Sequence, residues 1–469
     1  LVFSVVYATR NRRRVALDAT THFRLGRDKM KVLLLDRYGS DGMLDVAMRM
    51  EADGHEVRWS FRKDERNQNI GKGLVKGRIS DWRPSINWAD IVLLADNTIY
   101  LRELDAWRDR GVRIVGATQE AAKWELDRKT GQDVFKKHKI DVPDYKEFSD
   151  YDSAIAYVKK ENRAFVSKPS YDEADKSLSY VAKTPVDLIF MLERWKRAGR
   201  HKGAFILQEK VSGCEMAVGA FFGPHGFSQG WCENWEFKSL MAGDRGPNVG
   251  EMGTVVRFVV RSRLADKVLK PLEDALSRLD YCGYVDVNCI IDEEGTPWPL
   301  EFTMRPGWPT FNIQQSLLKG DHAEWLASLA EGRDSRPFSL NKISTGVVMA
   351  LPEFPYGKTP LDKIMGAPLY GLTPALRKNV HLCGAMEGPA PQERNGQIVS
   401  EKMTLAAGDY VLVATGLGDS VQQARNKAYR ILEKIKIPAS PFWRPDIGSR
   451  LKKQLPEVQK HGYATGMTF

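Results

Sequence analysis

The chain has 469 residues, 42% of them hydrophobic and 28% charged, with five cysteines and a formal net charge of +10. Such a composition excludes a disordered polymer, and an odd cysteine count without CxxC spacing excludes a disulfide framework and reads as a reducing, cytoplasmic compartment. No apolar run approaches the roughly 18 residues that span a bilayer, so a membrane is not an expected partner.

The positive charge invites a nucleic-acid reading, but much of it lies in residues 1–29, where Arg10, Arg12, Arg13, Arg14, Arg24, Arg27 and Lys29 face only Asp18 and Asp28. That stretch reads as a non-native, leader or disordered extension and is set apart from the fold. The rest of the chain is mildly basic, which suits a protein that handles phosphates, and no nucleic-acid partner is expected.

From Met30 to residue 118 strands and helices alternate. KVLLLD (31–36), HEVRWSF (55–61), ADIVLLAD (89–96) and VRIVGAT (112–118) read as strands, and residues 42–54 and 101–111 as helices. Short connections between them predict a doubly wound parallel sheet whose ligands lie beyond the strand carboxyl ends, at DRYGSDG (36–42) and ADNT (95–98). Residues 121–140 read as one basic amphipathic helix with a solvated face. SDYDSAIAYVKKEN is a second helix, AFVSKP (164–169) a strand, and FILQEKVSG (205–213) and EMAVGAFFG (215–223) are strands bending at Gly213. Segments run from Met30 to about residue 116, from 117 to about 205, on to 320, and from about 335 to 440. The domain bounds are drawn at 30–118 for an N-terminal α/β domain, 119–335 for a central domain with a small lid near 140–208, 336–450 for a C-terminal domain and 451–469 for a tail.

The hairpin YVDVNCIIDEEGTPWPLEF turns at DEEG. In PLEFTMRPGW, Glu301, Thr303 and Arg305 alternate onto one face, with Leu300, Phe302 and Met304 on the other. Counting outward from the turn places Glu301 opposite Asp286 and diagonal to Asn288. Carboxylate and amide oxygens are hard ligands suited to Mg²⁺, and a guanidinium fork matches phosphate. Taken alone, the hairpin is better explained by a solvated polar face. Lys168 ends an apolar strand before Pro169, and Lys176 comes after the polar stretch SYDEAD; two lysines flanking such a stretch suit a polyphosphate. Glu209 and Glu215 flank a turn that suits an adenine and ribose pocket. GPNVGEMGT (246–254) carries three glycines, a proline and an asparagine, so it reads as an irregular loop whose backbone N–H groups hold an anion.

In this order the pieces resemble the phosphoribosylamine–glycine ligase family of the ATP-grasp superfamily. GPNVGEMG is similar to the family's GPNTGGMG, LEFTMRPGWPT to IEFNCRFGDPET, FILQEKVSGCE to its hinge strand, and AYRILEKIKIPASPFWRPDIGSR (428–450) to its closing helix and RxDIG ending. The resemblance spans Met30 to about Arg450. It implies an α/β fold of ATP-grasp type with an N-terminal doubly wound parallel-sheet domain and a small C-terminal mixed α+β domain. It also implies ligation of a carboxylate to an amine through an acyl phosphate, with ATP and Mg²⁺ (or Mn²⁺) as cofactors. By matched position, Arg128, Lys168 and Lys176 contact ATP phosphates, Glu209 and Val211 meet adenine, and Glu215 meets ribose. Glu301 holds the metal, with Asn288 proposed to compensate for Thr303, which stands where the family has Asn; the hairpin count instead favours Asp286. Arg305 and Lys238 serve catalysis, and Gly39, Ser40, Gly246, Pro247, Asn248 and Gly253 the substrates.

The family's GGREH is YGSDG here and its DPET is WPTF, so the acceptor side departs more than the ATP side. The default pair is glycine and phosphoribosylamine in purine biosynthesis. The alternatives are a ligase with another amino acid or amine, where Trp308 and Phe311 suit a bulkier substrate, and an ATP binder without turnover. Small-molecule partners and a monomer or homodimer are expected.

Overall fold

The computed structural model describes residues 29–39, 42–170, 179–200, 203–333, 338–352, 354–357 and 365–469. Residues 1–28, and with them the reading of that stretch as an extension, lie outside the described residues, as do Ser40 and Lys176.

The first unit is a five-stranded parallel sheet of order β3-β2-β1-β4-β5. It comprises β1 (Lys31–Asp36), β2 (Glu56–Phe61), β3 (Arg78–Ile79), β4 (Ile91–Leu94) and β5 (Ile114–Val115), with helices α1 (Met43–Ala52) and α2 (Leu101–Arg108). Why it is wound on both faces is visible in β1. Successive side chains of a strand point to opposite sides. Val32 and Leu34 join the core that contains Leu44 and Ala47 of α1. Leu33 and Leu35 join a second core with Leu104 of α2, Trp82 and Ile86. The expected doubly wound parallel sheet is therefore present.

The sequence read as one basic helix is two. α3 (Gln119–Leu126) and α4 (Arg128–Lys137) are separated by Asp127, which has extended backbone angles (φ −111°, ψ 104°) and accepts a hydrogen bond from the Thr130 N–H. Asp127 is an N-cap, and the capping bond competes with helix continuation. Gly131 lets α4 close on its neighbours, because a Cβ there would lie 2.5 Å from the Trp124 carbonyl oxygen.

Next in the chain is a small four-stranded sheet of order β6-β9-β7-β8, from β6 (Tyr145–Phe148), β7 (Phe165–Pro169), β8 (Tyr180–Val181) and β9 (Phe205–Glu209). Helices α5 (Tyr151–Glu161) and α6 (Pro185–Arg197) cover one side, and Phe148, Ile155, Val158, Phe165, Leu188, Leu192 and Phe205 make a core of its own.

The largest element is a nine-stranded sheet. Its path is β17-β16-β10-β12-β15-β20-β24-β21, and β11 (Gly226–Phe227) pairs back on β10. The strands are β10 (Cys214–Gly223), β12 (Trp231–Glu236), β15 (Gly253–Val259), β16 (Gly283–Ile291), β17 (Pro297–Thr303), β20 (Ile343–Ala350), β21 (Val380–Leu382) and β24 (Tyr410–Gly418). Thus strands from the C-terminal third continue the same sheet as the hairpin. Among the described residues three two-stranded ribbons stand apart: β13 (Ser239–Met241) with β14 (Arg245–Asn248), β18 (Leu318–Lys319) with β19 (Phe338–Ser339), and β22 (Ala385–Arg394) with β23 (Gln397–Ala406).

Two further expectations change. The motif GPNVGEMGT is not wholly irregular: Gly246, Pro247 and Asn248 lie in β14, and Gly253 opens β15. Positive φ at Gly246 (78°) falls where the β13–β14 register shifts, and at Gly250 (82°) in the bend after β14. Residues 451–469, read as a tail, form the helix Leu451–Lys460 and a packed end in which the buried Tyr463 hydroxyl donates to the Gly295 carbonyl at 2.8 Å.

Candidate functional site

The β16–β17 hairpin sets the geometry. Its register shifts between Asn288 and Cys289: Cys289 pairs with Pro299, but Asn288 pairs with Glu301, so Leu300 is the extra residue of a bulge. The register expected by counting outward from the turn is corrected accordingly. Asn288, not Asp286, stands opposite Glu301, and Asp286 stands opposite Thr303. The alternation holds beyond the bulge. Phe302 is buried, stacked on Phe135 of α4 at 4.1 Å and tilted against Trp124 of α3 at 5.2 Å. Glu301 is left on the opposite, polar face.

That packing aims Arg128, the first residue of α4. Its Nη1 lies 2.6 Å from Glu301 Oε2. On the far side of Glu301, Lys238 Nζ sits 3.4 Å from Oε1, and also 3.1 Å from Glu215 Oε1 and 3.1 Å from Glu236 Oε2. Burial opposes the Lys238 charge, but Glu236, Glu215 and Glu301 outweigh it and hold this ammonium well above the ordinary lysine range. Burial also disfavours the Glu215 charge, yet Lys238, Arg450 and Asn288 hold that carboxyl below its usual range.

Asn288 donates through Nδ2 to Glu215 at 2.9 Å and Glu236 at 2.8 Å. Its buried Oδ1 has no hydrogen-bond partner among the described residues. Asp286 differs. Tyr284 and Asn234 both donate to its Oδ2, and burial, with Glu236 nearby, pushes its carboxyl up to about 7.

Lys168 reaches the same place from the small sheet. Its ammonium donates to Gln208 Oε1 at 3.0 Å, Gln208 donates to Gln132 at 3.4 Å, and Gln132 donates to the Leu300 carbonyl at 3.3 Å. A relay of side-chain amides thus joins β9, α4 and β17. Burial, with the cations of Arg128 and Lys238 only partly offset by Glu301, pushes the Lys168 ammonium down to about 7.

Arg305, just beyond β17, pairs with Glu125 of α3 at 3.2 Å. Glu125 is buried and accepts from Asn97 at 2.7 Å and from the Met304 N–H at 2.6 Å. The loop after β4 is thereby tied to the end of the hairpin.

The remaining predicted residues are dispersed. Glu209 is on the surface of the small sheet, 2.6 Å from Arg163 Nη1, and Val211, two residues on, is half-buried. Gly39 (φ 76°) ends the turn after β1 against the Phe61 ring. Gly246, Pro247 and Asn248 are exposed, and Asn248 accepts from the Ser239 hydroxyl at 3.0 Å. Gly253 is a packing residue: it is buried, and a Cβ would lie 2.4 Å from the Gly346 carbonyl oxygen of β20. Phe311 is also core, 4% exposed and near Phe221, and so does not shape a substrate pocket. Trp308 is half-buried, 3.8 Å from the Tyr410 ring.

Sequence reasoning missed four acids and a base. Glu236 lies two residues before Lys238, a spacing that announces a shared face. Glu251 lies inside the GPNVGEMG motif, where Thr254 and Thr310 donate to it; burial and Glu236 keep its carboxyl well above the usual range. Glu125 and Glu233 are buried acids on no motif, the latter held by Arg257 at 2.7 Å. Arg450 closes the quoted C-terminal ending.

The family described as phosphoribosylglycinamide synthetase, ATP-grasp (A) domain, matches residues 127–310, which run from the N-cap of α4 to the first residue after cis-Pro309. Phosphoribosylamine–glycine ligase of Pseudomonas aeruginosa is 29% identical over 371 residues, covering 74% of this chain and 80% of its own length. The enzyme of that name from Salmonella typhimurium is 26% identical over 366 residues, with 74% and 80% covered. Among solved structures, phosphoribosylamine–glycine ligase from Thermotoga maritima superposes with a TM-score of 0.65 at 20% identity, covering 89% of this chain and 100% of that one. Biotin carboxylase from Campylobacter jejuni superposes at 0.61 and 12% identity, covering 93% and 97%, which speaks for a shared fold.

Proposed function

We propose that this chain, a divergent member of the phosphoribosylamine–glycine ligase family of ATP-grasp proteins, joins glycine to phosphoribosylamine as ATP is split to ADP and phosphate. The observation that carries the reading is the convergence of Lys168 and Arg128 with Glu301, Asn288 and Lys238 on one polar focus between the small sheet and the large one.

The chemistry asks for charge neutralisation and positioning rather than for a protein nucleophile. A glycine carboxylate oxygen attacks the terminal phosphorus and ADP leaves. The amine nitrogen then attacks the acyl carbon, the C–N bond forms, and phosphate departs with the electron pair. Arg128 and Lys168 are assigned to the ATP phosphates, joined by Lys176. Arg305 balances the phosphoryl group in transfer, and Lys238 faces the developing charge on the acyl phosphate. Glu209 and Val211 are assigned to adenine. Glu215 is assigned to ribose, its orientation fixed by Lys238 and Asn288. Gly39, Ser40 and residues 246–248 are assigned to the substrates.

The donors also suit a divalent cation. Among the described residues no three acidic, thiol or imidazole side chains form a ready metal cage. Mg²⁺ needs none, since it binds through one or two carboxylates and substrate phosphates. Glu301 and the unpartnered Asn288 Oδ1 would hold it; Mn²⁺ would fit the same oxygens. When bound it neutralises phosphate oxygens. Asp286, already satisfied by two donors, is the poorer ligand.

The test is ADP release by the full chain with Mg–ATP, glycine and phosphoribosylamine generated in place. Turnover that needs both substrates and vanishes in Glu301→Ala supports the reading. ATP binding without glycine-dependent turnover would turn it to a ligase for another acid or amine. Trp308 over Tyr410, in the segment that departs most from the family motif, favours that second reading.

A further inference from the structure

The segment Arg444–Arg450 lies far from the matched domain in sequence, yet it grips the chain from Glu236 to Asp244, which includes Lys238. Arg444 is 1% exposed. Each nitrogen of its fork has its own acceptor: Nε meets Asp446 Oδ1 at 2.6 Å, Nη1 the Ser239 carbonyl at 3.0 Å, and Nη2 Asp244 Oδ1 at 2.6 Å. Asp446 in turn accepts from the Gly243 N–H at 2.9 Å. The start of β13 and the β13–β14 turn are therefore tied to one motif. Asp244 holds a positive φ of 55° there, a conformation that needs such anchoring in a residue other than glycine.

Arg450 performs a parallel task one turn later. Its guanidinium lies 4.2 Å from the Phe237 ring centre, Arg444 lies 5.2 Å from the same ring, and Phe237 is fully buried. Arg450 Nη2 donates to the Glu236 carbonyl and sits 3.6 Å from Glu215 Oε2. Phe237 is the residue between Glu236 and Lys238. A shift of this ring would move both the acid and the ammonium.

We propose that Arg444 and Arg450 are positioning residues of the ligase site: Arg450 sets Glu215, Glu236 and Lys238 through Phe237, and Arg444 anchors the ribbon of residues 239–248 that presents Gly246, Pro247 and Asn248 to substrate. The inference rests on the ligase reading for its kinetic part, while its structural part stands on amide exchange alone. A lysine cannot replace Arg444, because one ammonium cannot reproduce three donors in a fixed plane.

The experiment compares the full chain with Arg444→Gln, Arg444→Lys and Arg450→Gln by amide hydrogen exchange, Mg–ATP affinity and steady-state kinetics. Both Arg444 variants are expected to speed exchange in residues 239–248 by about tenfold or more with other peptides unchanged, and to raise the KM of the acceptor substrates at near-constant ATP affinity. Arg450→Gln is expected to lower kcat on the order of 10²-fold, as misplacement of a catalytic group by about 1 Å does. Where these variants do not fold, Asp244→Asn at the exposed turn removes one charged partner of Arg444 and gives the same pattern more weakly. Unchanged exchange in 239–248, or rescue by Arg444→Lys, overturns the proposal. Absence of turnover in the unaltered chain overturns the ligase reading instead, and exchange then decides this one.

Discussion

Two lysines enter the same site from two sheets and are held in opposite ways. Lys168, on the small sheet, is desolvated among cations, and its ammonium is pushed down to about 7. Lys238, beside the large sheet, is ringed by Glu215, Glu236 and Glu301 and is held well above its ordinary value. The small sheet thus offers a cation whose charge burial and neighbouring cations disfavour. The large sheet offers a cation already neutralised, together with acids in excess. On the proposed reading, the first lysine meets ligand phosphates and the second keeps the acids of the site in order.

The largest expected effect breaks the large-sheet side. Glu301 touches both Arg128 and Lys238, so Glu301→Ala removes the carboxylate that the helix α4 and the large-sheet side share. Its kcat for glycine-dependent ADP release is expected to fall on the order of 10³-fold, and Arg305→Ala similarly, because single electrostatic stabilisers of a transferring group carry that much. A fall under about tenfold in Glu301→Ala would remove it from the metal and phosphate grip.

The two lysines separate next. Lys238→Met leaves three carboxylates without their shared cation. Breaking a buried ion pair costs about 3–5 kcal/mol; with a quarter of Lys238 exposed, about 2 kcal/mol is expected in urea unfolding. Lys168→Met is expected to leave stability undiminished or raised, since it removes a charge that burial disfavours, but to weaken Mg–ATP binding by about 10- to 100-fold. Equal stability losses in both would abolish the contrast.

This contrast explains what was legible in the sequence. β1 was plain because KVLLLD is apolar on both faces and lies between two cores. Glu301 and Arg305 were plain because alternation and a turn signal stood beside them. The partner of Glu301 was not: Ile291 pairs with Pro297, so the turn is one residue longer than DEEG, and Leu300 adds a second, which together move Glu301 from opposite Asp286 to opposite Asn288. Nor was Glu236, whose importance depends on Lys238 lying across three acids from three strands. Phe311 was misread because an aromatic after a glycine–tryptophan–proline turn looks exposed until the sheet it packs on is known.

A pH titration sharpens the same comparison. A lysine whose folded pKa is lowered releases its proton early on folding. Its contribution to stability therefore rises with pH from about 7 towards the ordinary lysine range, near 10.4, and is lost on acidification. Phosphates favour the charged form, so Mg–ATP binding at pH 8 is expected to take up a proton at Lys168. Affinity then weakens by up to about tenfold per pH unit above 7 until the bound pKa is passed. Calorimetry in buffers of different ionisation enthalpy reads the uptake directly, and Lys168→Met should lack it. Lys238, charged throughout this window, contributes nothing to it. Zero uptake in the unaltered chain would place Lys168 among ordinary surface lysines.

The smallest effect concerns the helix break that the sequence hid. A run of helix-forming residues from Ala121 to Lys139 conceals Asp127, yet its carboxylate accepts from the Thr130 N–H and makes Arg128 the first residue of a new helix. The Arg128 N–H then donates to the Ser170 carbonyl at 3.3 Å, and its guanidinium meets Glu301. A continuous helix would rotate each later residue by about 100° and carry Arg128 off this line. Asp127→Ala is expected to lower stability by about 1 kcal/mol, the worth of one N-cap. Asp127→Asn, which keeps an acceptor, should lose only a fraction of that. If the cap aims Arg128, the alanine variant also raises the KM for ATP a few-fold, while the asparagine variant does not. A stability loss without a KM change would leave Arg128 held by Phe302 packing and the Glu301 pair alone, and the junction of the two sheets would then owe its geometry to the hairpin rather than to the break before α4.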